Sequence, residues 1–363
     1  MLHRAIVLIF VLASIASLAG CGSTTSHYVF VTLPAANEVA TYREDPNSGV
    51  LTEIAGSPFP AGNSATSAVI HPDGKYLYTA NPGVGENDIS LFSIASDGVL
   101  TEITPRTPVT PGATDPQNMV MDPGGKYLYV ANATSNNISV FTIDSSTGGL
   151  SQVTGSPFPI GASPLNMTIS PSGSFLYVTT PSVSQSSSFG SILGFSVNAG
   201  SLLPIDQTSS DGQDPSGIAI DPKGSYLYVT NKVSNSISIF AIKSTGALAE
   251  VQGSALADVN QGPVAVLVDP SGGFLYVANQ GSGNIATYTI DSSTGFPTVV
   301  ADSPFATEVN PSFLAIDPVG KYLFVGNQQT SPGIEAFGNS GGSLNAIFTY
   351  ATGNTPSSIA VLQ

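Results

Sequence analysis

The sequence predicts an all-β fold, a seven-bladed β-propeller with four-stranded blades. Three observations carry this. An aromatic motif recurs seven times, its first ring falling at Tyr28, Tyr76, Tyr127, Phe175, Tyr226, Phe274 and Tyr322, at intervals of 48, 51, 48, 51, 48 and 48 residues. Each copy sits in a unit of four strand-like stretches separated by turn residues, the mark of a propeller blade. The first and last units are fragments that complete one another.

Within a unit, the opening strand is short and apolar, as in "GIAI" at 217–220. A "DPKG" turn follows (221–224), with Pro presetting φ and Gly accepting a positive value. The second strand is "YLYV" (226–229) and the third "SISIFAI" (236–242). The third strand carries its own aromatic column: Tyr42, Phe92, Phe141, Phe195, Phe240, Tyr288 and Phe337. A Gly-containing hairpin such as "STGAL" (244–248) leads to an irregular fourth strand near "SPF". The aromatic and aliphatic side chains alternating along these strands read as core on both faces of each sheet.

The repeat units begin at "HYVFVTL" (27–33), already a second strand, and end at "NTPSSIAVLQ" (354–363), which matches a first strand. The C-terminus is therefore expected to supply the missing inner strand of the first blade. Such closure leaves no sheet edge for another chain to extend, and a monomer is expected.

Composition narrows the function. Nine basic against 24 acidic residues give a net charge of −15, which argues against nucleic acid and against a polybasic membrane patch. The single cysteine, Cys21, permits no internal disulfide and no thiolate metal cage. With three histidines (His3, His27, His71), a His-rich catalytic metal site is not expected. No metal and no cofactor is predicted.

Residues 1–20 read as a signal peptide, with Arg4 before an apolar run too short to span a bilayer. Leu18-Ala19-Gly20-Cys21 resembles the lipobox of bacterial lipoproteins, which implies acylation of Cys21. Residues 21–26 are then a lipidated tether and 27–363 a single propeller domain. Membrane contact is expected through Cys21 only, since several acyl chains anchor stably. Gly22 is not the aspartate that, by the same resemblance, retains lipoproteins at the inner membrane. The expected address is the cell envelope, at the outer membrane, on its periplasmic side or surface.

One face of the ring should carry the loops joining strands two and three and those joining blades. The other should carry the "DPxG" turns and the hairpins between strands three and four. The first is the expected ligand face, with Gln117, Asn132, Lys232, Gln280 and Gln328 as candidates. Asn81, Asn132, Asn231, Asn279 and Asn327 recur after the second strand, where left-handed turn geometry is the expected role. Lys232 is the only basic residue in those loops. The 180–191 loop, the longest, is expected to form a lip over the channel. The repeated "DPxG" aspartates read as turn caps, and His27 and His71 as structural.

"YVTN" at 228–231, with "YVAN" at 129–132 and 276–279, resembles the surface propellers with YVTN repeats. The fuller unit "DPSGGFLYVANQGSGNIATYTIDSSTG" is similar to the lactonase-type seven-bladed propellers, a group of phosphogluconolactonases and muconate-cyclising enzymes. The likeness covers residues 27–363. It implies an Arg-His pair after the interblade Pro and a Glu after "YVxN". Here those places read Ser216-Gly217, Val264-Ala265 and Ser312-Phe313, then Lys232, Gln280 and Gln328. Where the group often has a His after another interblade Pro, this chain has Gln117 and Leu165. Lactone opening needs a general base and an oxyanion partner. These departures favour a non-catalytic envelope module that binds a protein or glycan partner. The alternative is a lactone hydrolase acting on a sugar-type lactone, with Lys232, Asp214 and Glu308 as catalytic candidates. A cofactor-bearing propeller lacks ligands.

Overall fold

The computed structural model describes residues 27–362 apart from Thr110, 182–188, Val259, Val309 and Pro332. The segments expected to be a signal peptide (1–20) and a lipidated tether (21–26, with Cys21) lie outside the described residues, as does the middle of the 180–191 loop. Among the described residues there is no helix. The strands form seven antiparallel sheets.

The first sheet shows how the ring closes. Its inner strand is Ser358–Val361, followed outward by His27–Leu33, Glu38–Glu44 and a split outer strand, Leu51–Glu53 with Phe59–Pro60. Phe30 pairs with Ala360 and Val31 with Ile359. The Leu362 amide donates to the Tyr28 carbonyl at 2.8 Å, and the Ser357 amide to that of Thr32 at 3.1 Å. Ser357 Oγ also donates to the Thr66 carbonyl at 2.9 Å, so the terminal strand joins the first blade to the second.

The other six blades repeat this order without a break. Their inner strands are Ser67–Ile70, Pro116–Met121, Asn166–Ile169, Pro215–Ile220, Pro263–Val268 and Pro311–Ile316. With Ser358–Val361 they neighbour one another in a ring around the axis. The outer strand is continuous in the second, fourth and seventh blades and split in the rest.

Between blades the core is aromatic. The second ring of each motif is wholly buried: Phe30, Tyr78, Tyr129, Tyr177, Tyr228, Tyr276 and Phe324. For the five tyrosines among them, a buried hydroxyl costs free energy unless it finds a partner. Tyr78, Tyr177 and Tyr228 donate to the carbonyls of Gly148, Gly246 and Gly295, at 2.7, 2.7 and 2.8 Å. Each acceptor belongs to the strand-three-to-four hairpin of the next blade, so the tyrosine bolts two sheets together.

The "DPxG" turns occupy the same end as those hairpins. Asp221 Oδ1 takes the amides of Ser225 and Tyr226, at 2.6 and 2.7 Å. Asp269 and Asp317 take those of Phe274 and Tyr322, at 2.8 and 2.7 Å. His71 fills the corresponding turn of the second blade. Its Nδ1 meets Asp73 at 2.7 Å and its Nε2 the Gly125 carbonyl at 3.0 Å.

Candidate functional site

At the opposite end of the channel, one backbone device sets the rim. The residue after the second-strand asparagine donates its amide to the residue before the interblade proline. Ala133 bonds Asp115, Lys232 bonds Asp214, Gln280 bonds Gly262 and Gln328 bonds Asn310, at 2.8–3.0 Å. The four acceptors have φ of 65°, 59°, 64° and 49°. Asp, Gly and Asn are the residues that adopt this conformation most readily. Each clamp pins the interblade loop to the second strand and places one side chain per blade on the rim.

The rim brings Lys232 and Gln280 together. They hold the same position in the fifth and sixth blades, and Lys232 Nζ donates to Gln280 Oε1 at 3.1 Å. Both are half-buried. Asp214 is exposed beside them, its carbonyl holding the Lys232 amide at 2.9 Å. The ammonium is thus aimed by an amide oxygen on one side and anchored through its backbone on the other. Expected as an isolated charge, it is part of a pair.

The remaining candidates are distributed. Gln117 is exposed on the third blade, and its amide donates to Asp115 Oδ1 at 2.5 Å. Gln328 is exposed on the rim of the seventh blade. Glu308 is exposed near it, but its contribution there is its amide, which donates to Glu335 Oε1 at 3.0 Å. Glu335 is buried and also accepts from Asn327 Nδ2 at 2.7 Å. Burial pushes its carboxyl above the usual range, although these hydrogen bonds pull the other way.

Asn132 is corrected. It ends the second strand wholly buried, with Nδ2 donating to Asn137 Oδ1 and Ser139 Oγ at 2.9 Å. Asn231 does the same to Ser236 and Ser238. The column is an inward tie between strands two and three, and its backbone is extended, not left-handed. Positive φ belongs instead to Asn37, Asn87, Asn136 and Asn235, at the ends of the strand-two-to-three loops.

The sequence reading also missed a polar belt on the inner strands. Asn118 Nδ2 donates to Asn166 Oδ1 at 3.3 Å, Asn166 Nδ2 to the Ser216 carbonyl at 2.9 Å, and Ser216 Oγ to the Pro263 carbonyl at 2.9 Å. The signal was present, since "PQNMVM" and "PLNMTI" put Asn at matched places in otherwise apolar strands. Arg43 is exposed on a third strand, and Arg106 is held by Glu102 and Glu86 on the outer strand of the second blade.

A cavity of about 480 Å³ lies at the turn-bearing end, between the inner strands of the first three blades. Its ionisable lining residues are His71 and Asp122. Both are engaged in their own turns, His71 as above and Asp122 with the Gly124 and Tyr127 amides. It offers less chemistry than the rim.

A family model described as lactonase, 7-bladed beta-propeller, matches residues 23–163, 160–259 and 255–361. A 6-phosphogluconolactonase of Formosa agariphila is 40% identical over 93 residues, 25% of this chain and 26% of that protein. One of Enterobacter sp. is 27% identical over 188 residues, 52% and 56% of the two chains. The match thus spans about half, or less, of these curated relatives. A periplasmic gluconolactonase of Pseudomonas aeruginosa superposes with a TM-score of 0.73 at 19% identity, over 93% of this chain and 99% of the other. These relatives overturn the expectation of a non-catalytic binding module, which rested on the altered motif positions. Ionisable and amide groups do meet at the rim, in a pairing that linear motif matching did not register.

Proposed function

The chain belongs to the lactonase, seven-bladed β-propeller family, and from that premise we propose that it hydrolyses a sugar-type lactone at the loop-bearing end of its channel. The observation that carries the reading is the Lys232–Gln280 contact at 3.1 Å, a positioned ammonium on the face where ligands enter this architecture. Hydrolysis adds water to the lactone carbonyl carbon. Charge gathers on the carbonyl oxygen, and the ring C–O bond then breaks to give the hydroxy acid. Lys232 supplies a fixed positive charge for that oxygen, or for an anionic group of the substrate. Asp214, whose carbonyl holds the Lys232 amide at 2.9 Å, is the carboxylate of the same clamp and takes the proton from water. Glu308 lies on the rim of the seventh blade as a further carboxylate for the substrate's hydroxyls.

Acid release from 6-phosphogluconolactone and glucono-δ-lactone, followed by pH-stat against the spontaneous rate, tests the reading. Saturable acceleration on either lactone is expected; a rate equal to the background across a panel of sugar lactones overturns it. Export and anchoring through Cys21 belong to the same proposal, supported by the lipobox-like Leu18-Ala19-Gly20-Cys21. Palmitate labelling that disappears in Cys21→Ala is the expected result.

A further inference from the structure

The closure of the ring brings three ligand-type side chains into one buried place. His27 and Glu44 are paired in register on the second and third strands of the first blade. Asp317 is the turn aspartate of the seventh blade. One ligand atom from each lies within 4.8 Å of the other two, and His27 Nδ1 stands 3.6 Å from Glu44 Oε2. Glu44 is 1% exposed, and among the described residues neither of its carboxylate oxygens has a hydrogen-bond partner; nor does His27 Nδ1. Asp317, also 1% exposed, has Oδ1 on the Tyr322 amide.

A carboxylate shut away without hydrogen bonds is costly, and a second carboxylate beside it adds repulsion. Burial first, and then Asp317, push the Glu44 carboxyl up to about 7, with Lys321 opposing and Asp45 adding to the rise. The repeat shows that the fold does not require an acid here. At the place of Glu44, two residues beyond the third-strand aromatic, the next five blades carry Ile94, Ile143, Val197, Ile242 and Ile290, and the seventh Asn339. At the place of His27, before the first aromatic, they carry Lys75, Lys126, Ser174, Ser225, Gly273 and Lys321. The acid and the imidazole appear together, in one blade, where they face an aspartate of its neighbour.

We propose that His27, Glu44 and Asp317 form a binding site for a divalent transition cation of the zinc type, which fastens the seventh blade to the first. One imidazole nitrogen and two carboxylate oxygens are zinc ligands, and the nitrogen disfavours calcium and magnesium. Bonds of about 2.0–2.2 Å set tetrahedral ligand atoms about 3.3–3.6 Å apart, so the widest pair closes by about 1 Å on binding. Two carboxylates balance the cation's charge. His27, whose side chain is 16% exposed, leaves a route for a water in the fourth position.

The experiment uses the full chain, purified in detergent and stripped with chelator. Titration with Zn²⁺ is expected to show one saturable site and a raised Tm, and Co²⁺ to give the visible bands of a four-coordinate ion. Glu44→Ile, which installs the residue of the other blades, should fold to the same β spectrum and weaken Zn²⁺ at least about 100-fold. Asp317→Asn should do likewise. Absence of Zn²⁺ binding in the wild type, or unchanged binding and cobalt bands in Glu44→Ile, overturns the proposal. Lactone turnover is read separately, so the outcome does not depend on the enzymatic assignment.

Discussion

The ring of Tyr322 in the seventh blade lies flat against Gly49 in the hairpin of the first, so closely that a Cβ on Gly49 would overlap the ring. The same contact recurs at every junction: Tyr28 on Gly98, Tyr76 on Gly148, Tyr127 on Gly200, Phe175 on Gly246, Tyr226 on Gly295 and Phe274 on Gly342. Seven aromatics each need a neighbouring blade's glycine, and the seventh finds it only by returning to the first.

Gly49→Ala should therefore destabilise twice over, through its φ of 70° and through the overlap, by about 2–4 kcal/mol. Gly85→Ala, at a φ of 86° but with open space around the Cβ, should cost only about 1–2 kcal/mol. Urea unfolding of the two variants checks the difference; equal losses would mean that packing on Tyr322 contributes nothing.

The buried tyrosines separate into partnered and unpartnered hydroxyls. Tyr228→Phe removes a bond to the Gly295 carbonyl and should cost about 1 kcal/mol. Tyr129 OH has no partner among the described residues, so Tyr129→Phe should be neutral or stabilising. Chemical denaturation under identical conditions reads both.

Glu335 predicts a pH effect. Its folded carboxyl is raised by burial above its ordinary 4.5, with Glu308 adding to the rise. The unfolded chain therefore releases the proton first. The stability this group contributes is whole below about pH 4.5 and is lost as the pH climbs through the raised value. Glu335→Gln, which keeps an acceptor for Asn327, should flatten that part of the profile of Tm against pH. A slope identical to that of the wild type would remove Glu335 as its source.

Deleting residues 357–363 should leave the strand His27–Leu33 with a bare inner edge. A lower Tm than in any substitution above, with concentration-dependent self-association in size-exclusion chromatography, is expected. An unchanged monomer would show that the terminal strand is dispensable.

The blades, their faces and the closing strand were legible because each is written in repeating aromatics and turn residues whose period survives divergence. The role of Asn132 was not. A turn asparagine and an inward strand tie are the same letter, and only the register with Asn137 and Ser139 distinguishes them. The Lys232–Gln280 pair was half legible: the residues are one repeat of 48 apart, which puts them on adjacent blades, but their contact depends on side-chain reach. Glu44 was readable only by comparing columns, since an acid replaces isoleucine or valine there. That comparison matters only once Asp317 is known to face it.

The enzymatic account turns on Lys232. The direct measurement is kcat/KM of the wild type and of Lys232→Ala on the lactone that the wild type turns over best. Loss of one positioned donor at the developing oxyanion predicts a fall of about 100–1,000-fold, with the fold and Tm of the variant unchanged. Equal kcat/KM in the two proteins would contradict the account and move the reaction away from the fifth and sixth blades.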